Sequence, residues 1–276
     1  MLDRRVLVAI ALAGALCAAV ADAQAFDDAL YPDWNGGWAR LGRGYWDPTK
    51  PRGLGQQAPL TPEYQALFEA SISDQKGGGQ GNDAGYRCRP HGMPRIMIGN
   101  HPIVFTIMPE TIYVMRDVYN QFRRIYTDGR DFPTELPHST VGYSIGKWLD
   151  QDGDGHYDTL LVETRGLKNP RSYDSSGIPF HQDEATVIKE RIFLDKGNRD
   201  LLHNEITSID NALTRPWTVT RNYHRDRNPK WLEYYCSEDN HHAVIGQEDY
   251  LVSGDGFLMP VRKGQKPPDL RYFDQQ

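Results

Sequence analysis

From position 102 onward, apolar and β-branched residues recur at alternate positions in short runs, and each run is closed by a turn signal. A period of two places one face of an extended chain in a core and the other in solvent, which is the signature of a strand. The runs lie at 103–108, 111–118, 122–127, 141–148, 159–163, 186–194, 201–209, 217–224 and 231–237. Pro109-Glu110, Asp128-Gly129, Lys196-Gly197-Asn198 and Arg227-Asn228-Pro229 punctuate them. Short turns make successive strands antiparallel neighbours, and a sheet of about nine such strands loses its exposed edges most simply by closing on itself. The pattern predicts a mainly β fold: a single antiparallel meander closing into a calycin-like or lipocalin-like barrel.

Ahead of the meander the period disappears. Residues 24–60 are rich in Trp, Gly and Pro, with Trp34, Trp38 and Trp46 spaced along them, and read as an extended arm held to the body by its tryptophans. Thr61-Pro62-Glu63 then supplies an N-cap, a proline at the first helical position and an acid in the first turn. The helix should run to about residue 73 and bury Tyr64, Leu67, Phe68 and Ile72. Residues 77–85, GGGQGNDAG, form a link too short to mark a domain boundary. The expected organisation is one domain over 24–276, with arm and helix over 24–101 and the meander over 102–276.

Residues 1–23 read as a signal peptide. Arg4 and Arg5 precede an apolar run over 6–20 that ends in Ala21-Asp22-Ala23, and that run is too short for a membrane span. The expected location is the periplasm or the outside of the cell. There, Cys88 and Cys236 should pair, closing a loop of about 150 residues. A net charge of −6 argues against a nucleic-acid partner or an anionic membrane. Gly 26, Pro 18 and 11% aromatic residues favour turn-rich β structure over a helical bundle.

The most distinctive stretch is Asp150-x-Asp152-x-Asp154-Gly155-x-x-Asp158, between the runs at 141–148 and 159–163. Its carboxylates recur at every second residue, so one tight turn can aim them at a common centre, as oxygen ligands are aimed at calcium at about 2.3–2.6 Å. Gly153 and Gly155 permit the sharp bend. An EF-hand needs a bidentate Glu at the twelfth loop position, where this chain has Leu161, and a helix on each side. The loop resembles instead the calcium hairpin of integrin-type β-propeller repeats, in which the last Asp opens directly into an apolar strand. In this reading Asp150, Asp152, Asp154 and Asp158 supply carboxylates, His156 supplies its backbone carbonyl, and calcium is the cofactor. The competing reading is an acidic, solvated turn tip.

Other candidates are paired with plainer alternatives. Tyr126, Asp128 and Arg130 alternate and would share one side, giving ligand contacts from Tyr126 and Arg130 and a proton-transfer group in Asp128; the favoured plainer reading is an Asp-Gly turn with a surface ion pair, because Asp-Gly is a strong turn signal. His181 follows Pro179-Phe180 in an irregular stretch over 168–183 that reads as a lid, and could act as a general base or simply pack in a loop. Glu190 and Arg191 face opposite sides of a strand. Whichever points inward needs a partner, for which Glu205 and Arg221 stand on later strands. The stretch at 238–242, EDNHH, is a weaker metal candidate. The chain lacks a Gly-rich phosphate loop after a strand, a G-x-S-x-G elbow and an H-E-x-x-H pair, which argues against nucleotide binding, α/β-hydrolase and zincin chemistry.

Several segments together resemble a family of secreted bacterial proteins. The resemblance is carried by Asn82-Asp83 with Cys88, Gly92-Met93-Pro94-Arg95, the RRIYTDGR stretch from Arg123 to Arg130, the SIGKW stretch from Ser144 to Trp148, Glu163-Thr164-Arg165-Gly166, Pro216-Trp217-Thr218-Val219 and Glu233-Tyr234-Tyr235-Cys236. It spans most of the chain beyond residue 23 and names no activity. Members of that family commonly have a short W-E-G-D turn where this chain has its acidic loop, which implies that the calcium loop belongs to a subgroup. They also often carry His at the position of Tyr143. The function expected is an exported small-molecule-binding β-barrel with a structural calcium hairpin. The alternative is a cofactor-independent lyase, isomerase or hydrolase, with Asp128, His181 and Glu190 as acid-base groups and Arg130 or Arg191 steadying an anion; a third class is a calcium-stabilised adhesion module.

Overall fold

The computed structural model describes residues 26–42, 57–83, 85, 88–99, 101–118, 121–169, 171–231, 236, 241–253 and 257–269, with backbone alone at 241–242. The expected signal peptide, Trp46 and the side chains of 238–242 lie outside the described residues.

Nine strands close a barrel in chain order: β1 (Gly37–Arg40), β2 (Ile103–Met108), β3 (Thr111–Arg116), β4 (Gln121–Tyr126), β5 (Tyr143–Leu149), β6 (Thr159–Arg165), β7 (Val187–Leu194), β8 (Leu201–Ile209) and β9 (Trp217–Asp226). The closing strand is β1, from the arm, which pairs with β2 through Trp38↔Ile103 and with β9 from Gly37↔Asp226 to Arg40↔Tyr223. Trp38 is fully buried, and a Cβ on Gly37 would stand 2.6 Å from the Pro229 Cβ, so the pair Gly-Trp suits this crowded join. The strand expected over 231–237 is corrected: Trp231 is exposed and irregular, Cys236 is helical, and the other residues of that run lie outside the described ones.

A purely antiparallel meander is corrected as well. β4 and β5 pair in parallel, through Ile125↔Ser144 and Tyr126↔Ile145. The connection over 127–142 is a crossover that returns the chain to the end where β4 began, so both strands run the same way. Beyond the barrel, β10 (His241–Ile245), β11 (Glu248–Val252) and β12 (Leu258–Pro260) form a separate antiparallel sheet that the alternation did not reveal.

Inward positions of the barrel are buried in a continuous core that includes Ile103, Phe105, Ile112, Val114, Ile125, Leu160, Ile188, Ile206 and Tyr223. The core also holds an ion pair. Arg123 and Glu190, both with fully buried side chains, meet at 2.5 Å. At the end opposite the β5–β6 hairpin, the short helix α2 (Arg95–Ile98) is buried throughout, and Arg116 Nη1 donates to the carbonyls of Arg95 and Ile96 at 3.0 and 3.2 Å. The helix α1 (Pro62–Lys76) starts as expected, with Thr61 Oγ1 accepting from Tyr64 N. Its buried face differs from the expected one: Phe68 is buried but Leu67 is 49% exposed, while Gln65 and Ser71 are buried. Ser71 and Gln75 donate to the carbonyls of Ser176 and Ser175, which explains a polar contact face. Cys88 and Cys236 form the expected disulfide, with a Cα–Cα distance of 5.4 Å.

Candidate functional site

The acidic hairpin joins β5 to β6, and Gly153 and Gly155 both take the positive φ that its bend requires (73° and 90°). Asp150 organises the turn: Oδ1 accepts from the N–H groups of Gly153 and Asp154 at 2.7 and 3.2 Å, and Oδ2 from that of Gly155 at 2.9 Å. Asp158 Oδ2 accepts from Gln151 N at 3.0 Å, while its Oδ1 is buried with no hydrogen-bond partner among the described residues. Asp150, Asp152 and Asp158 each offer an oxygen, and these lie within 4.8 Å of one another. Two ligands of one ion at about 2.4 Å can be no farther apart than about 4.8 Å, so this set can hold a metal ion. Asp150 and Asp152 are exposed and Asp158 is half-buried, which leaves the cluster open to solvent.

The structure does not gather the whole expected ligand set. Asp154 stands outside the cluster and accepts from the backbone N–H of His156 at 2.8 Å, with the His156 ring at 3.3 Å. That backbone hydrogen bond holds the Asp154 carboxyl below the usual carboxylate range.

The hairpin is one wall of a cleft of about 910 Å³ at the barrel rim. The other walls are the strap formed by residues 29–33 and the β7–β8 turn, with Arg191, Phe193, Lys196 and Arg199 facing it. Arg191 points outward as one of the two expected orientations: it lies over the Phe193 ring at 4.1 Å and donates to Gln151 Oε1 at 3.0 Å, so this predicted ligand contact does stand beside the acidic cluster. Lys196 Nζ lies 3.6 Å from Asp152 Oδ2. The strap is bonded to the hairpin directly, through Tyr157 N to Leu30 O at 2.7 Å, and Tyr31 packs on Tyr157 and Trp148 at 5.3 and 5.4 Å.

The other predicted residues do not converge on this cleft. Tyr126, Asp128 and Arg130 do meet, as their alternation implied: Arg130 lies over the Tyr126 ring at 4.0 Å and grips Asp128 at 2.5 Å. They meet on the outer face of the wall, since the inward residues of β4 are the buried Gln121, Arg123 and Ile125. Asp128 is held below the usual carboxylate range by its hydrogen bond to Arg130, which suits an ion pair rather than a proton-transfer group. His181 packs against the Tyr64 ring at 5.6 Å and lies 3.0 Å from Asp183. Its loop is a plug more than a lid, because Tyr173, Ile178 and Phe180 are buried in the core cluster. Glu190 points inward, and its partner is neither Glu205 nor Arg221 but Arg123, with Asn204 Nδ2 donating to the other carboxylate oxygen at 3.0 Å. Glu205 lies instead 3.5 Å from Arg191, outside.

Among the described residues, two of the buried polar centres that escaped the sequence lie near the residues above. One is the Arg123 network just described, for which the adjacent pair Arg123-Arg124 was the available signal: on a strand, one of two neighbours must face the core. The other gathers Asp83, His91 and Arg95 near α2. Arg95 Nη1 meets Asp83 Oδ1 at 2.5 Å and Ser172 Oγ at 3.4 Å, and a Cβ on Gly85 would come 3.4 Å from both Arg95 Nη2 and His91 Nε2. Asp83 and His91 come from irregular stretches and Arg95 from a single-turn helix, where no period betrays an inward side chain. No family model matches the chain, and no curated protein matches it.

Proposed function

We propose that the protein is an exported binding protein: a calcium-stabilised, calycin-like barrel that takes a small molecule in the rim cleft beside the acidic hairpin. The observation that carries this reading is the approach of Asp150, Asp152 and Asp158 to within 4.8 Å at the wall of a cleft of about 910 Å³. Binding clefts for small molecules span about 300–1,000 Å³ and combine apolar walls with a few placed polar groups. Tyr31, Tyr157 and Phe193 supply the former and Arg191 and Arg199 the latter. The barrel interior is a poorer place for a ligand, because its inward side chains are packed into one buried core.

Oxygen-only ligands and an open shell suit calcium, which accepts six to eight oxygens in flexible geometry; magnesium demands a tighter octahedron. The buried, unpaired Oδ1 of Asp158 is the kind of atom a cation relieves. Calcium would pin Asp158 and with it Tyr157, which holds the strap. The disulfide and the leader-like first residues support a periplasmic or secreted location. The enzyme reading draws no support from Asp128, His181 and Glu190, which lie on the outer wall, in the plug loop and in the core.

Calorimetry on chelator-treated protein tests this. Calcium should bind, and at a hundredfold excess over its dissociation constant should stabilise the fold by about 2.7 kcal/mol. Asp152→Ala with Asp158→Ala should remove both effects and leave a folded chain. Absence of binding up to millimolar calcium rejects the metal reading; calcium binding with no ligand-induced thermal shift across a metabolite set rejects the cleft reading.

A further inference from the structure

Tyr31 also borders a second cleft, of about 440 Å³, between the strap and β2. Its aromatic lining is unusually dense. Phe26 and Tyr31 stand with ring centroids 5.1 Å apart, Trp34 and Phe105 at 4.9 Å. Trp34 and Phe105 are 2% and 5% exposed and form a floor, whereas Phe26 is 37% exposed and forms an open wall. Among the described residues, the charged ones in the lining are Asp28 and Asp33, both carboxylates, and neither Lys, Arg nor His contributes to it. Asp33 shares its charge with Arg225, whose Nη1 lies 3.4 Å from Asp33 Oδ2. Asp28 is exposed and makes no ion pair among the described residues.

These features select for one chemistry. Aromatic faces carry negative potential and attract a cation whose surface is apolar enough to leave water cheaply, and a nearby carboxylate adds a full counter-charge. A bare metal ion would find too few oxygens among four rings. An anion would be repelled by Asp28, and a neutral apolar molecule would gain nothing from it. We propose that this cleft binds an organic ammonium ion, with the methylated head against Phe26 and Tyr31 and Asp28 as its counter-ion. The site shares Tyr31 with the rim cleft but uses none of the carboxylates of the acidic hairpin, and it needs no metal.

Choline and its neutral isostere 3,3-dimethylbutan-1-ol, which share a shape and differ in charge, are the probes. Titrated into the full chain and followed by calorimetry, choline should bind about tenfold more tightly than the isostere. Asp28→Asn and Phe26→Leu should each weaken choline severalfold. Asp28→Asn should leave the isostere unchanged, because only the cation uses the carboxylate. Equal affinity for the two probes overturns the proposal, as does an absence of choline binding in a chain with native circular dichroism. Choline binding that survives both substitutions overturns it too, by placing the cation elsewhere.

Discussion

Arg123 reaches from β4 to three other strands through Nε and Nη2, while its Nη1 is buried with no hydrogen-bond partner among the described residues. Its Nε donates to Ser144 Oγ at 3.0 Å, and its Nη2 to Thr164 Oγ1 at 2.7 Å and Glu190 Oε2 at 2.5 Å. Ser144 and Thr164 also bond each other at 2.8 Å, so the guanidinium ties β4 to β5, β6 and β7 across the core. A buried pair is a weak source of net stability, because removing two charges from water offsets their attraction; breaking it from one side leaves the other charge stranded. Arg123→Met should therefore destabilise by about 3–5 kcal/mol in urea unfolding, and Arg123→Met with Glu190→Leu by distinctly less. A double variant as unstable as the sum of the singles would show that the two residues act independently. Strand periodicity told that one of Glu190 and Arg191 must face inward, but neither which of them does nor its partner across the barrel. That partner is set by barrel closure, which no local window contains.

At the scale of elements, strands whose inner and outer faces differ in polarity were legible: β2 and β8 fall on 103–108 and 201–209 as expected, and α1 starts at its predicted cap. What the pattern missed are elements defined by context. β1 has four residues and owes its strand conformation to two neighbours already in place, while β10 to β12 have no large core to enforce alternation. The direction of β5 was missed for a similar reason, since a crossover and a long hairpin loop look alike in composition. The parallel join, like the β1–β2 join, is a thin seam in the wall. It has two register pairs, against eight in each of the seams β7–β8 and β8–β9. Amide hydrogen exchange should accordingly open at Ile125, Ser144 and Ile145 before the middle of β8, because local opening starts where the fewest backbone bonds must break. Uniform protection around the barrel would mean that the Arg123 network, which crosses the same seam, compensates for the missing ladder.

The molecule as a whole meets acid through His91, which the fold keeps neutral. Burial lowers its pKa from 6.5 to about 2, and the charges of Arg95, Arg116 and His101 push the same way. The unfolded chain takes up a proton on this ring below about pH 6.5 and the folded one does not, so the unfolded state binds more protons and stability falls as pH falls. The slope approaches about 1.4 kcal/mol per pH unit once the unfolded ring is fully charged. Exposed carboxylates held low by their partners, such as Asp128 through Arg130 and Asp200 through Arg227, add to this only near and below their ordinary range, where protonation removes those interactions. Asp174 acts in the opposite sense: burial raises its pKa, so between the ordinary value of 3.8 and that raised value protonation favours the folded state. Between about pH 6.5 and about pH 5 the imidazole of the unfolded chain takes up its proton while that of the folded chain stays neutral. Urea unfolding across that window should show stability declining on acidification in the parent chain and a flatter profile in His91→Gln, even if the variant is less stable at every pH. A slope unchanged by the substitution would assign the proton uptake to another group and show that His91 already shares a proton in the folded barrel.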